Sequence, residues 1–184
     1  MIRLTGGEWK GRKIKTPKGA ATRPSAARVR EGLFDALGEI VRGGDFYDLC
    51  AGSGAVGLEA LSRGAAHCTF VESARAAMMC LRENIALLQC KARATCLPKS
   101  LPNWLRSPRF APRPPAIVFL DPPYDSNLAG RTLEVLGELS ISWQGSVCVA
   151  QTDRKTDLRE SYGHWRLRKR YPHGDSALWI YEAE

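Results

Sequence analysis

Residues 46–72 read FYDLCAGSGAVGLEALSRGAAHCTFVE, and this stretch decides the fold class of the chain. It begins with a short apolar strand, Phe46 to Cys50, and passes through a glycine-rich turn into a predicted helix over 56–63. A second apolar strand, Cys68 to Glu72, follows after a short loop. A strand, a helix and a second strand in this order predict two parallel strands joined by a crossover, the repeating unit of an open α/β sheet.

The same alternation continues towards the C-terminus, and a helix from Ala26 to Val41 precedes it. The last two strands have no helix between them, which indicates an antiparallel hairpin. We therefore predict an α/β, Rossmann-like fold with a mostly parallel seven-stranded sheet and a C-terminal antiparallel hairpin. Ligands of such sheets bind beyond the carboxyl ends of the strands. The remaining elements are helices over 74–88 and 128–139 and strands over 93–97, 116–120, 146–150, 165–169 and 177–181.

The net charge of +8 lies entirely in the first 30 residues, which hold nine basic side chains and one acid, Glu8. The other 154 residues balance at 18 basic and 18 acidic. Apolar residues alternate with the charges around Gly6-Gly7 and Gly11, which predicts a folded β-hairpin. We expect residues 1–20 to form a basic arm that contacts a polyanion, with Lys10, Arg12 and Lys13 as candidate ligands, and residues 21–184 to form the main domain. A merely solvated terminus is the alternative.

Other classes of site have little support in the composition. The six cysteines include no CxxC pair, and the three histidines are dispersed, so neither a metal site nor a Ser/His or Cys/His hydrolase is indicated. We expect reduced, mostly buried thiols. No apolar stretch approaches the roughly 18 residues of a membrane span, and the N-terminus has no apolar signal core. These features predict a soluble, cytoplasmic protein with no metal and no membrane partner.

The glycine-rich turn is compatible with two nucleoside cofactors. Gly52 to Gly57 matches the G-x-G-x-x-G pattern, and Glu72 follows 20 residues after Gly52, as in a nicotinamide-dependent oxidoreductase. Asp48 favours S-adenosylmethionine instead, because we expect its carboxylate at the mouth of the loop, where it would attract an ammonium and a sulfonium and repel a pyrophosphate. Glu72 suits the ribose hydroxyls in either case. Candidate cofactor residues are Asp48, Gly52, Ser53, Gly54 and Glu72.

The tetrapeptide Asp121-Pro122-Pro123-Tyr124 follows the apolar strand that ends at Leu120. Its two prolines stiffen the turn that presents the Asp121 carboxylate and the Pro122 carbonyl. Two acceptors that hold the hydrogens of an exocyclic amino group direct its lone pair at a methyl donor and stabilise the positive charge that develops on nitrogen. Tyr124 offers an aromatic face for an extruded base. The motif predicts methylation of an amino nitrogen on a nucleic-acid base.

Taken together, these motifs resemble the RsmD family of bacterial methyltransferases, which act on a guanine N2 of 16S ribosomal RNA. The resemblance covers nearly the whole chain and is densest over 48–63. It rests on the opening from Ile2-Arg3 to Arg12-Lys13, on Arg23-Pro24-Ser25, Arg28-Val29-Arg30-Glu31 and Leu33-Phe34, on DLCAGSGAVGLEALSR at 48–63, on DPPY, and on the strand Ala177 to Tyr181.

The resemblance implies a class I S-adenosylmethionine-dependent methyltransferase fold and a set of residue roles. Asp48, Gly52 and Gly54 would line the methionine end of the cofactor and Glu72 its ribose, while Asp121 to Tyr124 would hold the guanine. Three arginines, Arg23, Arg28 and Arg30, would grip RNA phosphates or help to close the cofactor pocket. Where related enzymes place an acid or amide by the adenine, this chain has Lys99-Ser100, so we expect Ser100 to make that contact. The implied partner is 16S rRNA or the assembling small subunit, bound by a monomer.

Three alternatives remain open on the sequence. A DNA adenine-N6 methyltransferase would share the DPPY chemistry. A nicotinamide-dependent oxidoreductase would use the same glycine turn. A non-catalytic RNA-binding protein would retain the fold alone, although the intact DPPY and glycines argue against it.

Overall fold

The computed structural model describes residues 1–17, 25–107, 115–123, 127–139 and 143–184. Within these residues the α-helices are α1 Ser25–Leu37, α2 Ala55–Ser62, α3 Arg75–Leu87 and α4 Leu128–Glu138. Its strands are β1 Ile2–Arg3, β2 Lys13–Ile14, β3 Asp45–Leu49, β4 His67–Val71, β5 Ala94–Leu97, β6 Ile117–Leu120, β7 Val147–Asp153, β8 Ser161–Tyr162, β9 Trp165–His173 and β10 Ser176–Ala183.

A single sheet with the strand order β5-β4-β3-β6-β7-β10-β9-β8 forms the centre of the molecule. Strands β3 to β7 are parallel, and β10 inserts antiparallel between β7 and β9. The order reverses between β3 and β6, which are hydrogen-bonded neighbours. In an open α/β sheet this reversal opens a crevice at the carboxyl ends of the two strands.

Hydrophobic side chains pack on both faces of this sheet. Successive residues of β6 alternate between two core clusters, so the clusters lie on opposite faces. Helices α1, α2 and α3 contribute to one cluster and α4 to the other. A strand with both faces covered needs consecutive apolar residues, which is why Ile117–Leu120 is buried throughout.

The N-terminal residues form the predicted β-hairpin, with Ile2 opposite Ile14. The hairpin belongs to the core of the domain, because Leu4, Trp9 and Ile14 are buried in the same cluster as α1, α2 and α3. Gly7, at φ 75°, lets the turn approach α2 so closely that an added Cβ would lie 1.8 Å from the Ser62 carbonyl oxygen. The boundary predicted near residue 20 lies outside the described residues.

The predicted architecture is confirmed, with two differences of detail. A two-residue strand, Ser161–Tyr162, extends the expected seven-stranded sheet to eight by pairing with the start of β9. The helix predicted to reach Val41 is α-helical only to Leu37 and then tightens into a 3₁₀ turn, Gly38–Val41. Gly38 adopts a φ of 55°, which an α-helix does not accommodate. Within the described ranges, no helix is both long and apolar enough to cross a membrane.

Candidate active site

The turn after β3 lies at the carboxyl edge of the sheet and has an unusual backbone. Cys50, Gly52 and Gly54 all have positive φ, at 65°, 56° and 82°. A side chain at Gly54 would collide with Leu81 of α3, since an added Cβ lies 2.4 Å from a leucine Cδ1. An added Cβ at Gly52 meets no atom within 4 Å. The loop is therefore packed on its inner side and open above Gly52.

Asp48 lies beneath this loop. It is 2% exposed, and its Oδ2 accepts a 2.8 Å hydrogen bond from the Gly57 N–H in α2. The contact requires glycine at 57, because an added Cβ would stand 2.4 Å from a ring carbon of Phe70. The expectation that Asp48 stands at the mouth of the loop needs correction: its carboxylate is enclosed, and one of its oxygens orders the loop and the first turns of α2.

Glu72, which follows β4, connects two segments of the carboxyl edge. One carboxylate oxygen accepts the Gly52 N–H at 2.8 Å and the other accepts the Ala74 N–H at 2.7 Å. The side chain is half-buried. It is thus held beside the open side of the glycine loop, where its remaining lone pairs can accept further hydrogen bonds.

Asp121 joins the same edge from β6. Its N–H donates to the Leu49 carbonyl at 3.3 Å, so the DPP segment begins alongside the end of β3. Pro122 is buried and Pro123 is exposed. Tyr124, the fourth residue of the predicted motif, lies outside the described residues.

Three carboxylates therefore meet around the end of β3, and their enclosure raises the pKa values of two of them. Burial first, and then the charges of Asp121 and Glu72, raise the pKa of Asp48 to about 7 against the opposing effect of the Gly57 hydrogen bond. Burial also raises the pKa of Asp121 to about 7. For the Cys50 thiol between them, burial first and then the three carboxylates raise the pKa to about 12.

No positive side chain offsets this cluster in the part of the chain that the structure describes. Among the ion pairs within 4.0 Å, none involves Asp48, Glu72 or Asp121. The described residues also contain no group of three or more His, Cys, Asp or Glu side chains arranged to hold a metal ion. An uncompensated acidic crevice beside an open glycine loop fits a cationic nucleoside cofactor and disfavours a pyrophosphate.

The two other candidate cofactor residues are Ser53, in the loop itself, and Ser100. Ser53 is 8% exposed and its carbonyl accepts a hydrogen bond from Asn84. Ser100 is exposed after β5, and its carbonyl accepts the Trp104 N–H at 3.2 Å. Its contact with an adenine stays a prediction.

The candidate RNA ligands divide into exposed and enclosed residues. Lys10, Lys13 and Arg28 are exposed, and Arg12 is exposed while donating to the Leu87 carbonyl at 3.0 Å. Arg23 lies outside the described residues.

Arg30 requires a correction. It is 4% exposed, its Nε donates to Glu59 Oε2 and its Nη2 donates to the Arg3 carbonyl at 2.7 Å. A guanidinium enclosed in this way is not available to an RNA phosphate. Arg30 instead holds the hairpin against α2.

Sequence reasoning missed the buried partner of Arg30. Glu59 of α2 is fully buried and bonds Arg30, Arg63 and both the N–H and the hydroxyl of Thr5. Burial opposes its ionisation, but these donors together lower the pKa of Glu59. The available signal was an acid in the middle of the otherwise apolar stretch AVGLEALS.

Asn84 of α3 was also missed, and it connects the hairpin to the glycine loop. Its Nδ2 donates to the carbonyls of Ser53 and Lys15, both at 3.0 Å, and its Oδ1 accepts the Lys15 N–H at 2.8 Å. Asn84 is 0% exposed. A polar residue on the buried face of an amphipathic helix was the only sequence signal for it.

A groove of about 640 Å³ opens elsewhere, lined among others by Phe34, Arg42, Ser62 and Gly64. It adjoins the C-terminal end of α2, whereas the glycine loop precedes the N-terminal end. The two are therefore separate sites.

A glycine loop, an acidic crevice and a DPP segment at the carboxyl edge of this sheet define the Rossmann-like methyltransferase class. A 16S rRNA N2-guanine methyltransferase of Thermus thermophilus, solved with AdoMet and guanosine, has the same fold, with a TM-score of 0.71 at 20% identity over 91% of this chain and 45% of that one.

Closer relatives identify the family. The family model described as conserved hypothetical protein 95 matches residues 2–182. Ribosomal RNA small subunit methyltransferase D of Escherichia coli K12 is 33% identical over 100% of this chain and 91% of its own length. The Haemophilus influenzae protein of the same name is 31% identical over 98% and 93%. A second T. thermophilus structure, of a hypothetical protein, superposes with a TM-score of 0.83 at 31% identity, over 100% of both chains. The chain belongs to the RsmD family.

Proposed function

We propose that this protein transfers a methyl group from S-adenosylmethionine to the exocyclic N2 of a guanine in 16S ribosomal RNA. The observation that carries the proposal is the uncompensated carboxylate cluster of Asp48, Glu72 and Asp121 beside the open glycine loop. Family membership supports the substrate, because the curated E. coli and H. influenzae relatives are named as methyltransferases of small-subunit ribosomal RNA.

Different residues of the crevice bind different parts of the methyl donor. S-adenosylmethionine supplies an electrophilic methyl group on its sulfonium. Asp48, with its negative charge, favours the cationic amino acid portion, and Gly52 provides the space above the loop. Glu72 accepts hydrogen bonds from ribose hydroxyls while its bonds to Gly52 and Ala74 fix its position.

Asp121 and the Pro122 carbonyl act on the substrate amino group. They accept its two hydrogens, which directs the nitrogen lone pair at the methyl carbon. As the nitrogen–carbon bond forms, the carbon–sulfur bond breaks and its electron pair stays on sulfur. The nitrogen then carries a positive charge, and Asp121 accepts its proton. Burial raises the pKa of this carboxyl to about 7, which suits a group that takes up and releases a proton near neutrality.

The exposed basic residues of the hairpin, with Arg28, are proposed to hold the RNA backbone. Lys10 and Lys13 are exposed on the hairpin, whose core anchors it to the domain. We expect a monomer that works in the cytoplasm, where small subunits assemble.

Methyl transfer from labelled donor into under-methylated small subunits tests the proposal. The wild-type protein is expected to label 16S rRNA, and Asp121→Ala to lose labelling while it still binds S-adenosylmethionine. Labelling of duplex DNA without labelling of ribosomal RNA would support the adenine-N6 alternative and overturn the proposal. Tight NADH binding without S-adenosylmethionine binding would favour the oxidoreductase.

A further inference from the structure

The C-terminal part of the sheet has a basic strand that the overall charge balance conceals. β9 reads WRLRKRYPH over Trp165–His173, and its cationic residues lie along one exposed strand. β8 pairs only with its first two residues, Trp165 and Arg166. Beyond that point the outer edge of β9 has no strand partner among the described residues.

The charges of β9 are neutralised at one end and not at the other. Arg166 and Arg168, towards the amino end, form ion pairs with Glu184 at 3.3 Å and Glu182 at 2.7 Å. Lys169 and Arg170, towards the carboxyl end, lie instead over the aromatic rings of Tyr171 and Trp179, each at 4.5 Å from the ring centroid. Consecutive strand residues point to opposite faces, so Lys169 lies on the face of Ile180 and Arg170 on the face of Trp179.

Two more cations join this carboxyl end from the loop after β7. Arg170 Nη2 donates to the Arg154 carbonyl at 2.6 Å, which places the exposed Arg154 and Lys155 beside it. Asp153 and Asp175 are the nearby acids, and Asp153 accepts the Lys155 N–H. Within the described residues, none of Arg154, Lys155, Lys169 and Arg170 has a carboxylate within 4.0 Å.

The uncompensated end of β9 is also the end that faces the candidate active site. The strand register aligns Leu120 of β6 with Ala150 of β7, Ala150 with Trp179 of β10, and Trp179 with Arg170. Arg170 is thus three strand spacings from the residue that precedes Asp121, or about 14 Å along the carboxyl edge. The hairpin lies on the other side of Asp121, since it packs on α2 and α3, which cover β3, β4 and β5.

We propose that Arg154, Lys155 and Arg170 form a second RNA-binding surface, which holds backbone phosphates on the side of the target guanine opposite the hairpin. This proposal rests on the proposed function, because it takes RNA as the polyanion. Cations whose charge is not neutralised by carboxylates attract phosphates and release the counterions condensed on them. The Trp179 ring beneath Arg170 restricts this side chain, so less conformational entropy is lost when a phosphate binds.

The test compares the two ends of the same strand. The triple variant Arg154→Ala/Lys155→Ala/Arg170→Ala removes uncompensated charge, and Arg166→Ala/Arg168→Ala, at neutralised positions of the same strand, is the control. Affinity for protein-free 16S rRNA is measured by filter binding over a series of KCl concentrations. The triple variant is expected to bind about tenfold more weakly, with the salt slope reduced by about 2, whereas the control changes affinity less than about twofold. Arg154→Lys/Arg170→Lys, which keeps the charges, is expected to retain the wild-type slope.

A triple variant with the wild-type affinity and slope would overturn the proposal, as would a control that weakens binding equally. Unchanged S-adenosylmethionine affinity in each variant shows that the domain is folded. The proposed function is tested separately by whether the wild-type protein methylates small subunits. A wild-type enzyme that methylates normally, beside a triple variant that binds normally, would contradict only the second surface.

Discussion

The buried position of Asp121 disfavours the ionised carboxylate that methyl transfer requires. Burial raises the pKa of its carboxyl from the usual acidic range to about 7, so the folded protein disfavours the ionised form. The stabilising contribution of the protonated carboxyl is complete below about pH 4, the pKa of an unfolded aspartate, and is lost as the pH rises towards 7.

Asp121→Asn removes this ionisation and should therefore stabilise the protein only where the carboxylate is charged. We expect its melting temperature to exceed that of the wild type by about 2 °C or more at pH 8, and to match it at pH 4. Methyl transfer should be lost at both. Differential scanning calorimetry at the two pH values is the measurement, and a lower melting temperature at pH 8 would contradict the burial argument.

The affinity for S-adenosylmethionine should depend on pH for the same reason. Burial raises the pKa values of Asp48 and Asp121 to about 7, so both are largely protonated at pH 6 and ionised at pH 8. A cationic ligand prefers the ionised site. We expect Kd to fall by about tenfold or more between pH 6 and pH 8, with proton release on binding, measured by titration calorimetry in buffers of different ionisation enthalpy. Tighter binding at pH 6 would exclude this electrostatic account.

Sequence motifs predicted the individual residues that they contain. Residues whose position depends on tertiary packing were not predicted. Glu72 was predicted at the edge because strand, turn and acid follow one another along the chain. The enclosure of Asp48 by Gly57 and Phe70 depends on how α2 packs on β4. Residue spacing along the chain does not specify this packing. Arg30 looked like an RNA ligand because its partner, Glu59, is 29 residues away.

At the scale of elements, α3 couples the hairpin to the glycine loop through Asn84. Asn84→Ala removes the bonds to Lys15 and Ser53, and buried partners left unsatisfied cost about 1–3 kcal/mol each. We expect a clear loss of stability in urea denaturation and a weaker affinity for S-adenosylmethionine. Glu83→Ala is the matched control, because it removes only the exposed ion pair of the neighbouring residue with Lys15. Equal stability in urea and equal affinity for S-adenosylmethionine in the two variants would show that the conformation of the loop does not depend on Asn84.

Most elements were predicted to within a few residues, because apolar periodicity determines them. The alternation of strand and helix predicted β3 to β7, and the lack of a helix between the last two strands predicted their hairpin. The insertion of β10 between β7 and β9 was not predicted, since strand order is a property of long-range pairing. The strand Ser161–Tyr162 is too short to carry a periodicity.

For the whole molecule, the charge distribution determines how a large polyanion is held. The hairpin places Lys10, Arg12 and Lys13 on the surface. We expect Lys10→Glu/Arg12→Glu/Lys13→Glu to weaken binding to 16S rRNA and to flatten its salt dependence, because fewer counterions are released. The single variant Lys13→Glu is measured beside the single variant Arg42→Glu, which is its control. The Arg42 side chain is 72% exposed and lies outside the hairpin, at the turn after α1. A salt slope unchanged in the triple variant would assign the hairpin charges to solubility.

The proposed function specifies which atom of which nucleic acid receives the methyl group. Small subunits from cells that lack this enzyme are incubated with the protein and S-adenosylmethionine, and the nucleosides of their 16S rRNA are then analysed by mass spectrometry. We expect one new guanosine methylated at N2, absent when Asp121→Ala replaces the wild-type protein. Methylated adenosine in place of methylated guanosine, or unmodified RNA with an enzyme that binds S-adenosylmethionine, would contradict it.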